Sequence, residues 1–346
     1  MAAPIRYRRV IAGLIVALLA AMLLGVAVGA VWVSPLTTLR LAAWKVGFAD
    51  RPEDVTRAAE VIVFQLRLPR VLLAAVVGGA LAASGSVFQG LFRNALADPA
   101  IIGVSSGAAL GAIVVIVTVG AGSLGAFAVP LAAFVGAMGT AYVVYRLARV
   151  GPAVHVATLL LAGIAIAAVI SSLMSLVMSF SGEDIRDIYS WLLGGLVAQG
   201  WRSIATVLPA IVIGIAGATL VAHELNLVAL GEERAVQLGV EVDRLKRRAI
   251  AVGALLAAAA VSVAGVIGFV GLMTPHLLRL VIGADHRRLI PASVLAGATL
   301  LILADLIART IIAPSEIPVG VVTALLGGPF FLLLLRREGR RAGARV

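Results

Sequence analysis

Side chains able to do chemistry are few in this chain of 346 residues. Cysteine is absent, which removes disulfides, thiolate metal sites and cysteine nucleophiles. His276, in the stretch TPHLLR, lacks the neighbours a metal site needs and reads as a hydrogen-bonding residue near a helix end. Asp305 and Arg309 lie four residues apart in an apolar run, so on a helix they share a face and can neutralise each other. Such a pair suits structure better than a proton relay. The interiors of the other apolar runs hold almost no ionisable groups, so the sequence offers neither the paired acids of an intramembrane enzyme nor the charged path of a proton-coupled carrier.

The elements that position these residues follow from composition. Residues of the hydrophobic class make up 62% of the chain and charged residues 13%, and the mean hydropathy is +1.11. A water-soluble globule of this length does not reach such values, so the chain is read as an all-α integral membrane protein. Apolar runs long enough to cross about 30 Å of hydrocarbon recur throughout, with short connections, which leaves one membrane domain over 1–346. The predicted spans are 10–33, 71–91, 101–120, 124–145, 158–179, 203–223, 249–267, 268–283, 290–309 and 318–335, about ten helices. The seventh and eighth are separated only by the interruptions at Gly265, Gly268, Gly271 and Pro275. The first run is too long for the apolar core of a secretory signal and is read as a retained helix.

An even count puts both termini on one side. Arg6, Arg8 and Arg9 begin the chain, and Arg336, Arg337, Arg340, Arg341 and Arg345 end it, so that side is expected to be cytoplasmic. With spans placed this way the outer connections balance acids against bases, and the whole formal charge of +11 falls inside. The excess is therefore a topology signal and not the footprint of a nucleic-acid interface. All four histidines, His155, His223, His276 and His286, fall on the inner side.

Two inner segments break the apolar pattern. Residues 92–111, FRNALADPAIIGVSSGAALG, place Arg93, Asn94, Asp98 and Pro99 between the second and third spans. Asp98-Pro99 suits the first turn of a helix, and Gly103, Gly107 and Gly111 then make a flat stripe against which another helix can pack closely. The longest inner connection, about 224–248, carries Leu227, Leu230, Ala235 and Leu238 at helical spacing among charges, broken by Gly231 and Gly239. It reads as short amphipathic helices presenting an apolar face to a partner.

Several separated stretches, in order, resemble the FecCD-type permeases of ABC importers, which carry cobalamin, ferric siderophores or haem. They are RLPRVLLAAVVGGALAASGSVFQGLFRNALADP at 67–99, GVSSGAALG at 103–111, WLLGGL at 191–196, ALGEERAVQLGV at 229–240, GFVGLMTPHLLRLVIGADHRRLIP at 268–291 and ADLIARTIIAPSEIPVGVVTALLGGPFFLLLL at 304–335. Ala95 departs from the proline that many relatives carry there.

The resemblance implies two ten-helix subunits, a homodimer, around a central path in a bacterial inner membrane. It implies two partner ATPase subunits, which bind the ATP, and a periplasmic substrate-binding protein. The chain has no G-x-x-x-x-G-K-[ST] phosphate loop, so the nucleotide chemistry belongs to the partner and the chain is not itself an enzyme. Residues 224–248 become the coupling loop, with Leu230, Gly231, Glu232, Glu233, Ala235 and Gly239 at the ATPase contact. Arg67, Arg70 and Arg309 become docking sites for glutamates of the binding protein. Asn94, Leu96 and His155 become the inner gate. The wording of the last third is closest to haem permeases, so haem is the expected cargo, with ferric siderophore or cobalamin as alternatives. No permanently bound cofactor is expected.

Overall fold

Arginine and glycine decide where the first helix stops. The apolar run continues to Val33, yet in the computed structural model α1 (Ala2–Ala27) ends six residues earlier, where the Arg67 side chain lies across its last carbonyls. A Cβ on Gly29 would fall 2.5 Å from Arg67 Nη2, so a larger residue there would have to push the guanidinium off the carbonyls it holds.

The structure describes residues 2–29, 31–52, 55–120, 125, 127–151, 153–196 and 200–343. After α1 come α2 (Pro35–Val46), α3 (Arg57–Val61), α4 (Leu68–Leu91), α5 (Val104–Val119), α6 (Ala128–Ala148) and α7 (Val156–Ser179). They are followed by α8 (Ile185–Leu192), α9 (Trp201–Val228), α10 (Glu232–Gln237), α11 (Val242–Ala264), α12 (Val270–Ile282), α13 (His286–Thr310) and α14 (Val319–Gly343). A π-helical turn, Ile62–Arg67, joins α3 to α4, and a 3-10 turn, Pro99–Ile102, precedes α5. Strands β1 (Arg149–Val150) and β2 (Ala153–Val154) pair antiparallel, Arg149 opposite Val154.

Among the described residues, 8 helical segments are long and apolar enough to cross a membrane, and α5 and α12 are shorter apolar helices. These are the all-α spans expected from hydropathy. Residue 124, the expected start of the fourth span, and Arg345 lie outside the described residues.

Several boundaries differ from the hydropathy reading. Helix α2 was not expected, although Ser34 Oγ accepts from Thr37 N (3.2 Å), Pro35 sits in the first turn and Gly47 ends it with φ +88°. Helix α8 was missed as well. Asp98-Pro99 starts the 3-10 turn and not α5 itself, because Gly103 at φ +79° breaks the path between them. The two glycine-rich spans do separate: α11 ends at Gly265 (φ +65°) and α12 begins after Phe269 (φ +67°). Beyond the predicted bilayer limits, α9 runs on to Val228 and α11 starts at Val242.

Helix α4 is the centre of the bundle, buried along most of its length and packed by α9, α11, α12 and α13. Close approach depends on small residues, as expected where lipid removes the hydrophobic drive between helices. A Cβ on Gly85 would lie 1.8 Å from the carbonyl oxygen of Gly271 on α12, and one on Gly78 would lie 2.3 Å from that of Gly297 on α13. Helices α5 and α6 form a second such seam. A Cβ on Gly107 would meet Gly136 O at 2.4 Å and one on Gly111 would meet Ala132 O at 2.2 Å, so these two make the expected packing stripe. Gly103 lies outside the helical stripe and serves as the turn before α5, facing Thr140.

Candidate functional site

Functional candidates gather at the two ends of the bundle. The end carrying both termini is called inner, in keeping with the charge distribution, and the opposite end outer.

At the outer end Arg67, Arg70 and Arg309 come together around a cavity of about 420 Å³ that Gly29, Gln65 and Glu316 also line. None of the three is a free surface arginine. Arg67 is 7% exposed and donates to Val26 O (3.0 Å), Ala27 O (2.7 Å) and Val31 O. It thus satisfies carbonyls that the end of α1 leaves without intrahelical partners, and its charge suits that negative end. Arg309 is 6% exposed and donates to Gly25 O.

Asp305, 1% exposed, is the shared counter-charge. The expected pairing with Arg309 is present at 3.7 Å, but its tighter partner comes from another helix. Arg70 on α4 reaches Asp305 through both Nε (2.9 Å) and Nη2 (2.8 Å), the fork geometry that only arginine supplies. Its remaining nitrogen, Nη1, donates to Glu316 (3.0 Å), which is partly open to solvent. Glu316 was not singled out from sequence, because 235 to 246 residues separate Arg70 from these acids and no local spacing signals the contact.

At the inner end the connection between α9 and α11 takes the form anticipated: a short helix, α10, set off by Gly231 (φ +115°) and Gly239 (φ +84°). Its exposed apolar residues are Leu230 (58%), Val236 and Leu238, with Glu233 and Arg234 beside them. Ala235, expected on this face, is fully buried and faces the bundle, while Val236 takes its place outside. A helix of little more than one turn cannot keep 230, 235 and 238 on one side. Glu232 turns inward to the Lys246 ammonium (2.8 Å).

The connection is stapled to the bundle by a residue the sequence reading passed over. Asn226, near the end of α9, accepts from the backbone N of His286 (2.8 Å) and donates to Asp285 Oδ1 (2.7 Å). The extension of α9 is thereby fixed to the start of α13. An unremarkable Asn in an apolar helix end carried no signal for this contact.

The expected gate residues are brought only partly together. His155, immediately before α7, lines an inner cavity of about 440 Å³ with Phe92, Arg93, Glu232, Glu233 and Lys246. Asn94 and Leu96 are not among the residues lining that cavity. Asn94 Oδ1 accepts from Leu96 N (2.9 Å), which shapes the turn, and Asp98 Oδ1 accepts from Ala100 N (2.8 Å). Arg93 there adopts φ 49°. Burial pushes the Asp98 carboxyl above its ordinary range, opposed by the Ala100 hydrogen bond.

His276 departs from its expected role. It lies inside α12, neither ring nitrogen has a hydrogen-bond partner among the described residues, and the ring meets Phe330 edge-on with centroids 6.1 Å apart. Among the described residues no three His, Asp or Glu side chains gather as metal ligands.

A bundle of apolar helices, most of them long enough to cross a bilayer, defines the class: a multi-pass membrane protein. The profile of the FecCD transport family matches residues 16–337, and the chain belongs to that family. It is 47% identical over 288 residues to the cobalamin import system permease protein BtuC of Halobacterium salinarum, covering 83% of this chain and 77% of the relative. It is 46% identical over 290 residues to the hemin transport system permease protein HmuU of Yersinia pestis, covering 82% and 85%. The vitamin B12 import system permease protein BtuC of Escherichia coli O157:H7 is 39% identical over 328 residues, 94% of each chain. A solved structure described as an inward-facing conformation, and assigned to the metal-chelate type of ABC transporter, superposes with TM-score 0.82 at 31% identity, covering 95% of this chain and 99% of its own. The chain is thus an ABC importer permease.

Proposed function

We propose that two copies of this chain form the membrane path of an importer in a bacterial inner membrane, with both termini cytoplasmic, and that the path carries haem inward. A separate ATPase docks on the 230–239 step, and a periplasmic binding protein delivers the cargo to the outer end. The observation that carries the reading is the exposed apolar step Leu230, Val236 and Leu238 on α10 and its flanks, beside an acid and a base, at the end with the largest basic excess. An exposed apolar group of this kind, flanked by an acid and a base, suits a protein partner.

The arginine cluster sets how a binding protein would engage. Arg67 is consumed by carbonyls, so it shapes the site and does not itself receive an acid. Arg70 is the receiving residue, with Glu316 occupying its outward nitrogen until an incoming carboxylate exchanges with it. Electrostatic contacts of this kind set orientation and encounter rate more than affinity.

A second cargo, cobalamin, is favoured by the two relatives named for cobalamin and vitamin B12 import, which stand beside the hemin relative at similar or lower identity. Both cargoes are bulky metal chelates with apolar faces. The test is reconstitution with the cognate ATPase and binding protein in lipid vesicles, offering haem, cyanocobalamin and a ferric siderophore in parallel. ATP-dependent accumulation of haem in preference to the other two is the expected result. Preference for cyanocobalamin moves the assignment to the second reading, and accumulation by this chain without any ATPase refutes the mechanism.

A further inference from the structure

Lys246 is a buried ammonium, 7% exposed, that the coupling and gating residues considered so far leave unused. It lies in the first turns of α11 and holds two segments at once. Its Nζ donates to Glu232 Oε2 on α10 at 2.8 Å and to the carbonyl oxygen of Val154 on β2 at 3.1 Å. Three residues back on the same helix, and so on the same face, Asp243 Oδ1 accepts from the backbone N of Val154 at 3.3 Å. The Val154 peptide is therefore gripped on its carbonyl side by Lys246 and on its N–H side by Asp243. The next residue is His155, and α7 begins at Val156.

Two physical consequences follow. First, an ammonium with little water around it must keep its acceptors, because hydrogen bonds to a charged donor are about twice as strong as neutral ones and leaving the charge unpaired costs more still. Glu232 and Val154 O cannot draw apart without breaking one of them. Second, the β1–β2 hairpin is the short connection between α6 and α7, so a pull on it is passed directly to the start of α7. Besides its own pairing and the burial of Val154, the two α11 side chains hold it across the bundle.

We infer that Lys246 ties α10 to the hairpin, so that displacement of α10 moves the peptide at Val154 and with it the entry to α7. Lys246 is a positioning residue in this scheme; it touches neither cargo nor nucleotide. The inference rests on the reading of α10 as the ATPase contact, and the experiment separates failure of the two.

The reconstituted complex of permease, ATPase and binding protein gives ATP hydrolysed per ligand imported for the unaltered chain, Lys246→Arg and Lys246→Met. The tie predicts a ratio raised about tenfold by Lys246→Met, the effect of losing one charge-assisted hydrogen bond, and within about twofold of normal for Lys246→Arg, which keeps the charge and donors. Lys246→Met at the normal ratio overturns the inference. So does Lys246→Arg behaving like Lys246→Met, which marks a packing role only.

A second measurement does not depend on that variant folding. The chain has no cysteine, so Ala153→Cys and Glu233→Cys accept spin labels selectively. In the complex with Lys246 intact, the 153–233 distance stays constant between nucleotide-free and ATP-bound states while α10 moves relative to the bundle. A 153–233 distance that changes between those states overturns the tie. If the unaltered complex neither binds an ATPase nor imports, the proposed function is what has failed.

Discussion

Replacing Gly85 with alanine adds one methyl group where α4 closely crosses α12. Its Cβ falls 1.8 Å from the carbonyl oxygen of Gly271 and 2.8 Å from the Gly271 Cα. Carbon–oxygen contacts between packed helices settle near 3.3 Å, so α4 and α12 must part by roughly 1.5 Å at this level. The atoms met are backbone and cannot rotate away. Parting also strips contacts from the neighbouring α4 crossings, because α4 is gripped on several sides. Overpacking of this kind costs typically 1–3 kcal/mol and more when the backbone must move. Helix propensity acts the other way, favouring alanine over glycine by about 1 kcal/mol.

Gly139, also inside a helix, has nothing within 4 Å of its would-be Cβ and supplies the matched control. Gly139→Ala therefore keeps or raises the midpoint of thermal unfolding in detergent, while Gly85→Ala lowers it by several degrees. The assay is loss of the monodisperse peak in size-exclusion chromatography after heating. Equal midpoints for the two variants refute the claim that steric closeness at Gly85 and Gly271 holds α4 against α12.

Other outcomes follow from the same geometry. Arg67→Met leaves the end of α1 with carbonyls it can no longer satisfy and lowers thermal stability by about 3 kcal/mol, with Arg67→Lys intermediate because a point charge reaches fewer of them; heating in detergent checks both. Asp305→Ala removes the acid paired with buried Arg309 and leaves Arg70 with Glu316 alone, costing about 3 kcal/mol, and adding Arg70→Met recovers part of it, read as non-additivity in the same assay. Glu316→Gln removes the in-chain competitor for Arg70, so the binding protein associates about threefold more tightly, measured by surface binding to permease in nanodiscs; weaker association contradicts the exchange. Leu230→Asp with Val236→Asp abolishes co-purification of the ATPase while the permease elutes normally, since both side chains are exposed and contribute nothing to the core.

The sequence by itself determined the class of environment and the all-α, multi-pass architecture. Hydropathy responds to about 30 Å of hydrocarbon whatever the packing, so apolar runs of spanning length can be read without knowing their neighbours. Gly231 and Gly239 also announced a short helix between them, since each needs only its own backbone angle. Tertiary structure alone decided the rest. Arg70 finds Asp305 and Glu316, Lys246 finds Val154, and Asn226 finds His286 across separations of 235, 246, 92 and 60 residues. Helix α1 stops short of Val33 where Arg67 reaches its last carbonyls, and Ala235 turns inward because its methyl group packs into the apolar core; which groups stand beside a helix end is fixed only by the packed bundle.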